Sequence, residues 1–198
     1  MRMKIYRINE IFYSIQGEGR WAGRAAVFVR FSGCNLQCPF CDTDFRQYEE
    51  YTAKQLINEI KKVAPGCKFV VLTGGEPTLQ VDNALTYALT YEGYYIAMET
   101  NGTRKVPANI NWITCSPKHA YLKNAMPVIT KAHEVKVVYD GVHEVCDYGI
   151  EARCFYVQPC DVGDKEKNAD ILKKTVGFVK LHPKWQLSLQ QQKIINVR

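Results

Sequence analysis

An α/β fold built on a mostly parallel sheet is what the sequence predicts, from three observations. Short apolar runs begin at Ala26, Phe69, Tyr94, Trp112, Val135 and Cys154, and they are continuous rather than alternating, the pattern of strands covered on both faces. Stretches with apolar residues at helical spacing lie between several of them, as βαβ units require. Polar motifs follow most of the runs: "CNLQCPFC" the first, "TGGEP" the second, "ETNG" the third, "SPK" the fourth and "QPCD" the sixth. Ligands gather at the C-terminal ends of strands in parallel α/β folds, so this rim is the candidate active site.

Each element has its own justification. After "AVFVRF", Thr52 and Gln55 make a capping box, and Leu56, Ile57, Ile60 and Val63 recur on one helix face until Pro65 and Gly66 stop it. After "FVVLTGG", Val81, Leu85, Ala88 and Leu89 share a face, and Gly93 is a fitting C-terminal stop. The strands "YYIAMET" and "WITCSP" follow. The stretch "SPKHAYLKNAMPVITKA" has two prolines and little periodicity, so it reads as a loop-rich crossover leading to "VKVVY" and "CFYVQP". A helix is expected from about Asn168 to Leu181, with Ile171, Leu172, Val176 and Val179 apolar. The ending "WQLSLQQQKIINVR" adds an edge strand or an extended tail. No internal repeat, low-complexity tract or linker interrupts the chain.

At 198 residues one domain is expected, and 46% hydrophobic with 23% charged residues excludes a disordered chain. The charged start "MRMKIYRINE" lacks the apolar core of a signal peptide, so the eight cysteines point to a reducing cytosol rather than to disulfides. No uncharged apolar run approaches the roughly 20 residues that cross a bilayer, so no membrane role is expected. The net charge is +6, with lysines crowded late in the chain. Without a nucleic-acid motif, a solvated lysine-rich face is the plain reading, and no nucleic-acid partner is expected.

Cys34, Cys38 and Cys41 fall in a C-x3-C-x2-C pattern with no fourth cysteine at ligand spacing. Thiolates this close can wrap an iron–sulfur cubane and leave one iron open for a substrate. Zinc is the competing metal and would need a distant histidine among His119, His133, His143 and His182; a redox-active thiol set is the third reading. Cys67, Cys115, Cys146, Cys154 and Cys160 lack tight spacing and read as small core residues.

The triple cysteine, with Phe40 just before its last member, resembles the signature of radical S-adenosylmethionine (SAM) enzymes. The resemblance implies a partial (β/α)6-type barrel with reduced helices and a C-terminal tail. It also implies a 4Fe-4S cluster whose open iron is chelated by SAM. Electron transfer would then release a 5'-deoxyadenosyl radical that abstracts hydrogen from the substrate. By the same resemblance SAM meets Phe40 and Asp42 beside the cluster, Gly74 and Gly75 of "GGEP", Glu99 of "ETNG", Ser116, Pro117 and Lys118 of "SPK", and Gln158, Pro159, Cys160 and Asp161 of "QPCD".

A longer match, "IFYSIQGEGRWAGRAAVFVRFSGCNLQC" followed by "CDTDF", resembles the 7-carboxy-7-deazaguanine synthases, and it continues to "KIINV" near the end. That resemblance implies conversion of 6-carboxy-5,6,7,8-tetrahydropterin to 7-carboxy-7-deazaguanine with loss of ammonia, on the route to queuosine. It implies substrate contacts from Ile15, Gln16, Gly17, Glu18, Arg30, Thr73 and the terminal carboxylate of Arg198, and a magnesium ion on Thr43. An amide and a carboxylate suit an aminopyrimidinone edge, and an arginine suits the substrate carboxylate. The implied partners are an acidic flavodoxin or ferredoxin as electron donor and a second copy in a homodimer. Two departures from the family pattern are Gln192, near which a histidine is usual, and Arg198, where proline is usual. The alternatives are a radical activase acting on a protein glycine, which leaves "IQGEG" and "CDT" unexplained, and an electron carrier or zinc module, which needs no rim motifs.

Overall fold

In a computed structural model, which describes residues 4–197, the six apolar runs form neighbouring strands of one sheet. They are β2 (Ala25–Phe31), β4 (Phe69–Gly74), β5 (Tyr95–Thr100), β6 (Trp112–Cys115), β7 (Glu134–Tyr139) and β8 (Cys154–Pro159), each parallel to the next. The short β9 (Gln186–Leu187) extends the parallel set beyond β8. Two further strands, β1 (Tyr6–Ile15) and β3 (Glu49–Tyr51), are antiparallel and give the order β3-β1-β2-β4-β5-β6-β7-β8-β9. The sheet curls without closing, a partial barrel with edges at β3 and β9.

The helices cover the outer face. Helix α1 (Ala53–Val63) starts at the expected capping box, with Thr52 and Gln55 bonded reciprocally, and buries Leu56, Ile57 and Ile60. Helix α2 (Asn83–Tyr91) buries Leu85 and Leu89, and both helices pack on Val27, Val29, Val70, Leu72, Ile96 and Met98. Each of these large aliphatic side chains contributes roughly 1.5–3 kcal/mol by leaving water. Helix α3 (Lys165–Leu181) begins three residues before the expected Asn168, because Asp164 caps it by accepting from the amides of Glu166 and Lys167. Among the described residues no helix is long and apolar enough to cross a membrane.

The concave face is layered. Its lower layer is apolar, with Ala26, Phe69, Val71, Ala97 and Trp112 packed against Trp21. The β1–β2 connection, from Gln16 to Arg24, folds over this layer, tied by the Gln16 amide to the Arg24 carbonyl (2.8 Å) and the Gly23 amide to the Gln16 carbonyl (2.8 Å). Above it the interior turns polar and opens at the C-terminal ends of the parallel strands. The C-terminal segment crosses the open side, where the Gln191 amide donates to the Gly17 carbonyl (3.1 Å), and ends in the short helix α4 (Gln191–Ile194).

Candidate active site

The expected rim encloses a cavity of about 330 Å³. Lining it are Cys34, Cys38 and Cys41, then Phe40, Asp42 and Thr43; Ile15 to Glu18; Arg30, Thr73, Gly74 and Gly75; Glu99, Ser116 and Lys118; and Gln158 to Asp161. Strand register explains the convergence: Arg30 pairs with Thr73, Phe31 with Gly74, and Tyr139 with Pro159, so the motif residues lie at one height. Pro117 is buried and does not line the cavity, and Arg198 lies outside the described residues.

The cysteine loop is bolted in place. Leu36 is buried, the Asn35 amide donates to Thr103 Oγ1 (2.9 Å), Asn101 Nδ2 donates to Asn35 Oδ1 (3.1 Å), and Phe40 packs edge-on against Tyr121. All three thiols are free. Burial pushes Cys34 and Cys38 up, and neighbouring cysteine charge adds to the shift, from Cys41 on Cys34 and from Cys34 and Cys41 on Cys38. Among the described residues no group of three or more His, Cys, Asp or Glu converges to hold a single ion. That donor set suits a multi-iron cluster, in which each thiolate takes a different iron, better than one zinc.

The "GGEP" turn is wedged beneath this loop. The Gly75 amide donates to the Phe31 carbonyl (3.1 Å) and the Glu76 amide to the Gly33 carbonyl (2.9 Å). A Cβ on Gly75 would come within 2.1 Å of the Gly33 oxygen, so the glycine is required by backbone packing. Glu76 is fully buried: one carboxylate oxygen accepts from the Thr78 amide (3.1 Å), the Thr78 hydroxyl (2.6 Å) and the Thr100 hydroxyl (2.7 Å), the other from the Asn101 amide (2.7 Å). It staples the end of β4 to the end of β5.

Beside the end of the cysteine loop, Arg30 Nε donates to Glu10 (2.9 Å), and Nη1 lies 3.4 Å from the Thr43 hydroxyl. The Gln16, Glu18 and Glu99 side chains face the cavity but are not free. Gln16 donates to Glu99 (2.8 Å); Lys136 donates to Glu99 (3.1 Å) and to Glu18; and Glu18 also accepts from Gln190 (3.0 Å) and Gln192 (3.2 Å). Burial alone would raise the Glu18 carboxyl, but the Lys136 charge and the hydrogen bonds from Lys136, Gln190 and Gln192 outweigh it and hold Glu18 at about 2. The glycines of "IQGEG" make room for neighbouring side chains. A Cβ on Gly17 would strike Gln192, and one on Gly19 would strike Glu134, so these glycines admit the chain's own side chains.

The SPK lysine is also engaged. Lys118 donates to the carbonyl and hydroxyl of Ser116, and burial pulls its pKa down against the pull of Cys38. Lys193 closes the open side of the cavity, donating to Asp161 (2.8 Å) and Asp42 (3.3 Å). Sequence reasoning did not select Lys136, Gln190, Gln192 or Lys193. The visible signals among them were a lysine inside the apolar run "VKVVY" and the departure from the family pattern at Gln192.

Comparison with known proteins matches residues 28–173 to the Radical SAM superfamily. The 7-carboxy-7-deazaguanine synthase of Bacteroides thetaiotaomicron is 46% identical, covering 97% of this chain and 98% of that protein. The chain belongs to the 7-carboxy-7-deazaguanine synthase family. The synthase of Haemophilus influenzae is 36% identical over 97% of this chain and 94% of its own length. The fold of this synthase family member also matches the solved structure of QueE from Escherichia coli, with a TM-score of 0.72, 26% identity and 94% coverage of both chains. Membership in the radical SAM superfamily brings a 4Fe-4S cluster and SAM as cofactors, and the three free thiols on one cavity wall fit the cluster.

Proposed function

We propose that this enzyme converts 6-carboxy-5,6,7,8-tetrahydropterin to 7-carboxy-7-deazaguanine with loss of ammonia, in queuosine or related 7-deazapurine synthesis. The observation that carries the reading is one cavity lined both by Arg30 and the segment from Ile15 to Glu18 and by Cys34, Cys38 and Cys41, in a chain of this synthase family. When bound, the cluster and SAM supply the radical that takes hydrogen from the substrate.

The chain's own residues bind, orient and exclude water. Arg30, braced by Glu10, takes the substrate carboxylate through its fork of donors. Gln16 and Glu18 offer an amide and an ionised carboxylate to the aminopyrimidinone edge, and Thr73 stands beside Arg30 on the neighbouring strand. The Gly74–Gly75 turn, Glu99, Ser116, Lys118 and the rim from Gln158 to Asp161 form the cosubstrate side, next to Phe40 and Asp42. The aromatic floor beneath the cavity keeps bulk water from the reacting centre.

Magnesium on Thr43 belongs to the same proposal. The hydroxyl sits beside the Arg30 guanidinium, so a cation there needs the substrate carboxylate between them. The terminal carboxylate of Arg198 is assigned to the substrate by family resemblance. An acidic flavodoxin or ferredoxin suits a chain of net charge +6 as electron donor, and a homodimer in the cytosol completes the proposal.

Calorimetric titration of the reconstituted enzyme with SAM present tests the substrate claim. The carboxylated tetrahydropterin should bind, and its decarboxylated analogue and the Arg30→Ala variant should each lose most of that affinity. Equal binding of both pterins would overturn the assignment.

A further inference from the structure

Lys136 lies mid-strand in β7 with its ammonium almost wholly out of water, its side chain 4% exposed. A lysine so placed is strongly destabilising unless its charge is matched. The match comes from remote parts of the chain. Glu18 arrives on the β1–β2 connection and Glu99 at the end of β5, both bonded to the ammonium. Two residues earlier on β7, Glu134 faces the same interior and is satisfied by the Arg20 amide (3.1 Å) and the Trp112 indole (3.2 Å). Lys118 is the neighbouring cation, and its own bonds go to Ser116.

We infer that Lys136 is a positioning residue that ties Glu18, on the substrate side of the cavity, to Glu99, on the cosubstrate side, and keeps Glu18 an ionised acceptor. The inference rests on the reading above that Glu18 meets the substrate ring. Glu18 faces Lys136, Gln190 and Gln192, so Lys136 is the cation in direct contact with it. Burial alone drives a carboxyl toward its neutral form, and a protonated Glu18 would present a donor where the ring's N–H groups need an acceptor. Burial opposes the charge on Lys136 too, but Glu18, Glu99 and Glu134 together push its pKa well above the ordinary lysine value, so the ammonium persists across the working pH range. The coupling is also mechanical. Gln16 donates to Glu99 while Lys136 bridges Glu99 to Glu18, so a shift of either carboxylate moves the other.

The test uses the cluster-reconstituted enzyme with SAM and follows binding of 6-carboxytetrahydropterin by calorimetry from about pH 6 to about pH 9, where an unperturbed carboxylate does not titrate. Wild-type binding should show no step from Glu18. Lys136→Gln keeps an N–H donor and most of the length but removes the charge. It should bind more weakly at low pH and recover as pH rises, losing about tenfold per pH unit below the raised Glu18 pKa. Thermal melts run in parallel verify folding. If the single variant does not fold, Lys136→Met with Glu18→Gln relieves the unbalanced charge and should bind weakly without any pH step. A folded Lys136→Gln with wild-type affinity, or with weakening that does not depend on pH, would overturn the inference, as would a step that persists in the double variant. Wild-type enzyme that binds no pterin at all would overturn the functional reading and this inference with it.

Discussion

Replacing Glu76 tests how the cosubstrate side is held. Its carboxylate is fully buried and satisfies two backbone amides, at Thr78 and Asn101, and two hydroxyls, at Thr78 and Thr100. In Glu76→Ala the hydroxyls can rotate to other acceptors, but the two amides stay where the backbone holds them. A buried donor left unsatisfied costs about 1–3 kcal/mol, so the pair costs about 2–6 kcal/mol. Release of a buried charge offsets part of that, leaving a net loss of about 1–5 kcal/mol. Glu76→Gln keeps an oxygen for Thr78 and Thr100 but turns an NH2 toward the Asn101 amide, so one orphan remains, at about 1–3 kcal/mol. Anaerobic urea denaturation of the two variants and the parent measures both losses. Glu76→Ala within about 1 kcal/mol of the parent, or Gln as damaging as Ala, would refute the reasoning.

Gly75→Ala drives a Cβ into the Gly33 carbonyl beside Cys34, so iron content after reconstitution should fall well below the parent's; full loading would show that the loop yields freely. Asp161 is held down to about 2, first by its hydrogen bond from Lys193, so its contribution to stability is present above the ordinary carboxylate range and lost as pH falls from about 4 toward about 2. In Lys193→Ala, carbon-detected NMR should find the Asp161 carboxyl titrating nearer 3.8, while overall stability changes by less than about 1 kcal/mol because the pair is exposed. If SAM is regenerated in each cycle, methionine should stay far below product over many turnovers; methionine rising in step with product would rule out that role.

The parallel strands were legible because helices cover one face and the barrel interior the other, which makes their sequences apolar throughout. Strand β1 escaped notice for a physical reason. Tyr6 and Ile8 alternate with Arg7 and Asn9, but a bulge between Ile8 and Glu10 shifts the phase before Phe12 turns inward. The three-residue β3, "EEY", is polar and defined only by its pairing with β1, so nothing local announces it. The site divides similarly. Cysteine and glycine motifs are contiguous and can be read directly, whereas Lys136 meets Glu18 across 118 positions and Gln190 meets it across 172, distances that only the fold closes. Glu18 and Glu99 were selected as ligand contacts, yet each is already bound within the chain, because the buried lysine between them needs their charge.

The most direct test of the central claim is product formation. The cluster-reconstituted enzyme, supplied anaerobically with reductant, SAM, magnesium and 6-carboxytetrahydropterin, should yield 7-carboxy-7-deazaguanine by absorbance and mass, and Cys34→Ala, Cys38→Ala and Cys41→Ala should yield none. Reductive cleavage of SAM to 5'-deoxyadenosine without any deazaguanine, from enzyme with an intact cluster, would contradict the account.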